Sequence, residues 1–114
     1  MANVFLLSDA EHELEQLSTS EEVAVRTVMA KLEAMGSKLG FPHQSAIRGV
    51  ENLREMRPRS GRSPTRAFYS QTGAEQFHVC AIGPEASVDP RGFNRSVRQA
   101  KQRLNDFEKS GDET

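Results

Sequence analysis

Three strand-like segments follow one another in the middle of the chain, and this order constrains the fold more than any other feature of the sequence. The segments are Leu53–Arg57, Thr65–Gln71 and Phe77–Ile82. The first mixes apolar and charged residues as a half-buried strand does, and the other two are rich in aromatic and β-branched residues. Proline and glycine within 58–64 predict a turn, and Thr72-Gly73 predicts a hairpin. Together they predict an antiparallel meander.

Helical patterns lie on both sides of this meander. A short strand, Val4–Ser8, precedes two predicted helices, and a long final helix follows the meander. The predicted helices are Ala10–Leu17, a second one capped by Ser18 or Ser20 and ending at Met35 before Gly36, and Arg91–Lys109. Residues 37–49 have no periodic pattern and predict a loop. The order β-αα-βββ-α predicts an α+β fold, with a small, mostly antiparallel sheet covered on one face by the helical hairpin and the C-terminal helix.

Size and composition favour one cytoplasmic domain. The chain has 114 residues and a single cysteine, Cys80, which suits a reducing compartment and excludes a disulfide framework. We expect the domain to span residues 1–109 and 110–114 to be a frayed tail. No transmembrane segment or signal peptide is predicted. The three histidines lack metal-ligand spacing, so we expect neither a metal nor a cofactor.

Charge is distributed unevenly along the sequence. Residues 1–40 carry seven acids and three bases, whereas residues 48–66 carry six arginines and two acids. A second basic stretch, residues 91–103, contains no acid. Such a chain can bind a polyanion with its basic surface and a cationic partner with its acidic one.

The central residues also resemble a known family. The run Asn52-Leu53-Arg54-Glu55-Met56-Arg57-Pro58, then Ser60-Gly61-Arg62 and Thr65-Arg66-Ala67-Phe68-Tyr69, is similar to the core pattern of RelE/HigB-type toxins. These are toxins of type II toxin–antitoxin systems, and the chain is closest in pattern to the phage-derived HigB-like branch of the RelE/ParE superfamily. The predicted order of strands and helices agrees with that family over nearly the whole chain.

The resemblance implies a RelE-like fold, a cytoplasmic location in a bacterium or phage, and a small antitoxin partner, expected to be a helix-turn-helix protein. For many members it implies metal-free cleavage of mRNA in the ribosomal A site, with mRNA and ribosome as further partners. For the ParE-like branch it implies inhibition of DNA gyrase without cleavage. The stretch Gly83–Arg91 departs from the pattern of active members, because no basic residue precedes Arg91 there.

Three residues are candidates for catalysis. Arg66 matches the family's arginine three residues before the strand tyrosine, and a guanidinium can stabilise a phosphorane. Tyr69, the only tyrosine, can stack on a base or donate a proton, or it can simply fill the core beside Phe68. His78 can act as a general base, or it can be a structural strand residue that shares a face with Cys80 and Ile82.

Six further arginines are candidates for nucleic-acid binding. They are Arg54, Arg57, Arg62, Arg91, Arg95 and Arg98. The first three belong to the central cluster, and the last three share one face of the final helix. The alternative is that these side chains form ordinary solvated surfaces. Three functions therefore remain open: an endoribonuclease with an arginine-rich phosphate cradle, a non-catalytic module that binds a protein partner such as gyrase or a host factor, and a small nucleic-acid-binding regulator.

Overall fold

The computed structural model describes residues 1–112, with five strands and three α-helices. In chain order they are β1 (Asn3–Leu6), α1 (Ser8–Glu15), α2 (Thr19–Met35), β2 (Gln44–Ala46), β3 (Arg54–Met56), β4 (Thr65–Gly73), β5 (Gln76–Pro84) and α3 (Pro90–Asp112). Short 3₁₀ turns occupy Gly36–Lys38 and Pro58–Gly61. The α+β class and the predicted β-αα-β order at the start of the chain are confirmed.

The five strands form one sheet in the order β1-β5-β4-β3-β2. Strands β2 to β5 pair antiparallel, and β1 pairs parallel with β5 at one edge of the meander. Strand β2 was not predicted, because Gln44-Ser45-Ala46 carries no β-branched or aromatic residue and is short. Only its pairing with β3 makes it a strand. The β4–β5 turn falls at Ala74 and Glu75, two residues after the predicted Thr72-Gly73.

Helices cover both faces of the sheet, not one as the sequence predicted. Ala67 and Tyr69 of β4 pack into a core with α1 and α2, whereas Phe68 packs into a second core with Val97 and Ala100 of α3. We call the α1/α2 side the first face and the α3 side the second face. The physical reason is that six successive residues of β4, Thr65–Ser70, are buried, so this strand has no solvated side.

A β-bulge at Cys80 changes which side chains share a face. Phe68 pairs with Ala81 and Tyr69 with Val79, so Cys80 has no partner on β4. Consequently Cys80 and Ala81 both join the second core, and Ile82 joins the first. The predicted grouping of His78 and Cys80 with Ile82 is therefore wrong for Ile82. Burial raises the pKa of the Cys80 thiol to about 12, which makes it an inert core residue.

The start of α2 is tied to the segment between β3 and β4. Ser18 is the N-cap, and its hydroxyl accepts from the backbone N–H of Glu21, which decides between the two predicted caps. The carboxylate of Glu21 in turn accepts hydrogen bonds from Ser63, Thr65 and Arg59. Burial raises the pKa of Glu21, but these bonds outweigh it and leave the pKa below its usual value.

Helix α3 begins at Pro90, one residue before the predicted Arg91, with Asp89 accepting from the N–H of Gly92 and Pro90 at the first helical position. It continues to Asp112, beyond the predicted end at Lys109. The remainder of the predicted tail, 113–114, lies outside the described residues. Among residues 1–112 no helix has both the length and the apolar character needed to span a bilayer.

Candidate functional site

Arg54 and Tyr69 come together in one cavity on the first face of the sheet. The two residues are register partners on β3 and β4, so their side chains leave the sheet on the same side. The cavity has a volume of about 330 Å³ and lies beside the C-terminal end of α2, where Gly36 and Ser37 form part of its wall. Its polar lining therefore includes a guanidinium and a phenol, which are the groups that recognise phosphate and donate protons.

Two glutamines complete the polar lining of this cavity. Gln44 of β2 accepts a hydrogen bond from Arg54 Nε at 2.6 Å and donates one to the carbonyl of Leu39 at 2.9 Å, which fixes the arginine. Gln71 also lines it, two residues after Tyr69 on the same strand. Neither glutamine was predicted from the sequence as a site residue. Gln71 could have been found from the two-residue period of β4, whereas Gln44 carried no signal because its strand was not predicted.

The environment of Tyr69 keeps its hydroxyl protonated. Burial raises the pKa of the phenol, and the charge and hydrogen bond of Arg54 only partly oppose this. Tyr69 is therefore a neutral hydrogen-bond and proton donor near neutral pH, not a base.

Arg66 lies apart from this cavity and is almost fully buried, with 3% of its surface exposed. Its Nη atoms donate to the carbonyls of Ser63, Thr65 and Gly61 at 2.7, 3.0 and 3.3 Å. The carboxylates of Glu55 and Glu85 lie 3.6 and 3.9 Å from its nitrogens. The guanidinium thus binds internal acceptors, and it holds the 61–65 segment.

His78 lies on the second face, beneath α3. Its ring packs against Phe107 and Phe5, with ring centroids 4.3 and 5.1 Å away. Its Nδ1 is 2.7 Å from the hydroxyl of Thr72. Burial lowers the pKa of this imidazole, so the ring is neutral near pH 7. His78 and the Arg54–Tyr69 cavity therefore lie on opposite faces of the sheet.

The remaining predicted arginines fall into separate groups. Arg57 stacks on Phe41, with its guanidinium carbon 4.7 Å from the ring centroid, and it lines a second groove beside α2. Arg62 is exposed on the turn before β4. Arg91, Arg95 and Arg98 are exposed along α3, and none forms an ion pair with another residue of the described chain. The predicted residues thus form no single cradle.

Comparison with known proteins places the chain in a family. The phage-derived protein Gp49-like family matches residues 12–105, which is most of the chain. The chain belongs to this family. No curated protein matches the sequence at a significant level.

Two solved structures have a fold similar to that of the Gp49-like protein. The isolated E. coli RelE toxin is 14% identical, with a TM-score of 0.58, and the match covers 83% of this chain and 98% of that one. A chain of the archaeal RelE–RelB complex from Pyrococcus horikoshii OT3 is 16% identical, with a TM-score of 0.53, and the match covers 73% of this chain and 93% of that one. The Gp49-like protein therefore has the fold of RelE toxins, which is the fold that the resemblance implied.

Proposed function

We propose that this Gp49-like protein is the toxin of a toxin–antitoxin pair and cleaves mRNA at the ribosome without a metal. The observation that carries the proposal is the pairing of Arg54 and Tyr69 in one cavity on the sheet. The RelE fold supports the toxin assignment, and the RelE–RelB complex found for one relative supports an antitoxin as partner.

In the proposed reaction Arg54 and Tyr69 each perform one step. The ribose 2′-oxygen attacks the adjacent phosphorus, and Arg54 stabilises the extra negative charge of the phosphorane. The bond from phosphorus to the 5′-oxygen then breaks, and Tyr69 gives its proton to that oxygen. The products are a 2′,3′-cyclic phosphate and a free 5′-hydroxyl. Arg66 and His78 do not touch the reacting atoms in this scheme, because Arg66 is buried and donates to carbonyls of its own chain, and His78 is covered by α3.

The base that accepts the 2′-hydroxyl proton is the remaining requirement. Within residues 1–112 no carboxylate or imidazole lines the Arg54–Tyr69 cavity. We assign this step to a group of the ribosome–mRNA complex, which accounts for a reaction that depends on the ribosome.

Inducible expression in a bacterial host tests the proposal. We expect growth arrest and mRNA with new 5′ ends within codons under translation. Arg54→Ala and Tyr69→Phe should each lower the cleavage rate about 100-fold or more, the usual loss on removing a proton donor or charge stabiliser. The exposed Arg48→Ala is the matched control and should cleave normally. Full cleavage by both cavity variants would refute the assignment.

The missing base also favours one alternative, a non-catalytic toxin that inhibits a protein target. In that case the unmodified chain arrests growth while mRNA ends stay unchanged. A pull-down from the arrested cells would then recover the target in place of ribosomes.

A further inference from the structure

A groove beside α2 is lined by two residues whose buried polar atoms lack a hydrogen-bond partner. It has a volume of about 230 Å³ and lies between α2 and the segment that carries Arg57 and Arg59. Four buried side-chain polar atoms of residues 1–112 lack such a partner, and three of them belong to these two lining residues: His43 Nδ1, Arg57 Nε and Arg57 Nη1. Unpaired buried polar atoms raise the free energy of the folded state. Their concentration in residues of one groove therefore indicates a binding site for a polar partner group.

The groove also carries positive charge that the chain does not neutralise. Arg59 is paired with Glu21, whereas Arg57 and the exposed Lys31 are in no ion pair of the described residues. Gly61 makes room for Arg57, since a Cβ there would lie 2.6 Å from Arg57 Nη2. The guanidinium is thus held in place without an anion.

The floor of the groove is apolar. Val23, Ala24 and Val28 of α2 line it, and Val23 is 57% exposed although it lies within the helix. Phe41, the ring under Arg57, is 74% exposed. Aliphatic floor, aromatic rim and two free cations match a protein segment that offers an apolar side chain and a carboxylate.

A nucleic acid fits this groove less well. Arg59 is already paired with Glu21, and Glu33 lies on the same helix as Lys31, so the groove offers little net positive charge to a polyanion. A sugar–phosphate chain also gains little from exposed valines. A single carboxylate on an apolar segment avoids both problems.

We propose that this groove docks an acidic amphipathic segment of the antitoxin, an inference that rests on the toxin assignment above. One carboxylate of that segment binds Arg57 and Lys31, and an aliphatic side chain next to it packs on Val23 and Val28. The groove and the Arg54–Tyr69 cavity share no lining residue, so the contact is separate from the proposed cleavage site.

The test uses the full chain and the small protein encoded by the adjacent gene. Lys31→Glu should weaken their complex about tenfold or more, as placing like charges together does at an interface. The matched control is Lys38→Glu, an exposed lysine beyond the end of α2 and outside the groove, which should bind normally. In cells, Lys31→Glu should still arrest growth, but co-expression of the partner should no longer relieve the arrest.

Arg57→Met separates docking from folding. Because the groove nitrogens of Arg57 have no internal acceptor, the variant should keep or raise the melting temperature of the free chain while weakening the complex. A lower melting temperature with unchanged affinity would show a structural role and overturn the proposal.

Other outcomes also overturn the proposal. Equal affinity of the Lys31→Glu and Lys38→Glu variants would do so, as would the absence of any complex. If Lys31→Glu weakened binding of a single-stranded RNA oligonucleotide and left the affinity for the partner protein unchanged, the groove would be an RNA-binding site. Failure of the toxin assignment is distinguishable, because it shows as absence of growth arrest by the unmodified chain, whereas the affinity measurement needs no toxicity.

Discussion

Arg54 and Arg66 lie on the neighbouring strands β3 and β4 and carry the same charge, but their surroundings give them different roles. Arg54 is exposed and fixed by one glutamine, so its guanidinium remains available to a ligand. Arg66 is buried and binds three carbonyls and two carboxylates of its own chain. Similarity of sequence motif therefore does not distinguish a binding arginine from a structural one, whereas burial does.

At the residue scale, Arg66→Met should lower the free energy of unfolding by about 3–5 kcal/mol, because it removes the guanidinium from three carbonyls and from the partly buried carboxylates of Glu55 and Glu85. Urea denaturation measures this. Arg54→Met should change the same quantity by less than about 1 kcal/mol, as surface substitutions do. Equal losses in the two variants would contradict the structural assignment of Arg66.

His78 predicts a pH dependence of stability. Its pKa is lowered by burial in the folded state, so between that value and about 6.5 the unfolded chain binds a proton that the folded chain does not. Stability from this residue is complete above the unfolded pKa and is lost as the pH falls through the folded pKa. In His78→Gln the slope of melting temperature against pH between 7.5 and 5 should be reduced, measured by thermal melts. An unchanged slope would show that another group titrates.

At the element scale, side chains of α1 and α3 bind the backbone of β5 where β1 no longer pairs with it. β1 pairs with β5 only as far as Val79. Beyond it, Glu13 of α1 accepts from the N–H of Ile82 at 3.0 Å, and Arg103 of α3 donates to the carbonyl of Cys80 at 3.0 Å. The two side chains also bind each other at 2.9 and 3.0 Å. This pair covers the exposed strand edge and joins the helices of the two faces.

Glu13→Ala and Arg103→Ala should each cost about 2 kcal/mol of unfolding free energy, since charged hydrogen bonds to a strand edge are lost. The double variant should cost about 1 kcal/mol less than the two losses added together, because both remove the same interaction. Chemical denaturation of the four proteins measures this cycle. Glu15→Ala, exposed on the same helix, is the control, and strict additivity would exclude coupling across the edge.

At the scale of the whole molecule, the two covered faces carry different charge. Helices α1 and α2 carry seven acids and two basic residues, whereas residues 91–103 of α3 carry five basic residues and no acid. The net charge of −1 conceals this division. The α3 side is therefore expected to contact RNA phosphates that lie outside the Arg54–Tyr69 cavity, and the acidic segment of the antitoxin is expected at the groove beside α2.

Replacing Arg91, Arg95 and Arg98 together by glutamine should weaken binding of a single-stranded RNA oligonucleotide and flatten its dependence on salt. The slope of log K against log salt is negative, and each lost phosphate contact reduces its magnitude by about 0.7. Titrations at several KCl concentrations measure it. The matched triple variant of Arg26, Lys31 and Lys38, which alters the α2 side, should keep the slope. The same loss in both triples would mean that net charge, not this surface, governs binding.

The local patterns of the chain were sufficient for the meander, the caps of α2 and α3, and the RelE resemblance. A cap bonds backbone groups only a few residues away along the chain, so it can be read from the sequence directly. Ser18, Gly36 and Asp89-Pro90 are such caps. The strand β2 escaped detection because its only support comes from β3, ten residues away along the chain. The candidate site was found in part: Tyr69 and Arg54 were named, whereas Gln44 and the groove beside α2 were not.

The sequence by itself determined the three α-helices, four of the five strands and where the positive charges lie along the described chain, because these depend on neighbouring residues. Only the tertiary structure decided that the sheet is covered on both faces, that a bulge at Cys80 reverses the side of Ile82, and that Arg66 is internal while Arg54 is open. Those outcomes depend on contacts between residues far apart in sequence, and the burial of a charge is a property of the packed molecule, not of the residue that carries it.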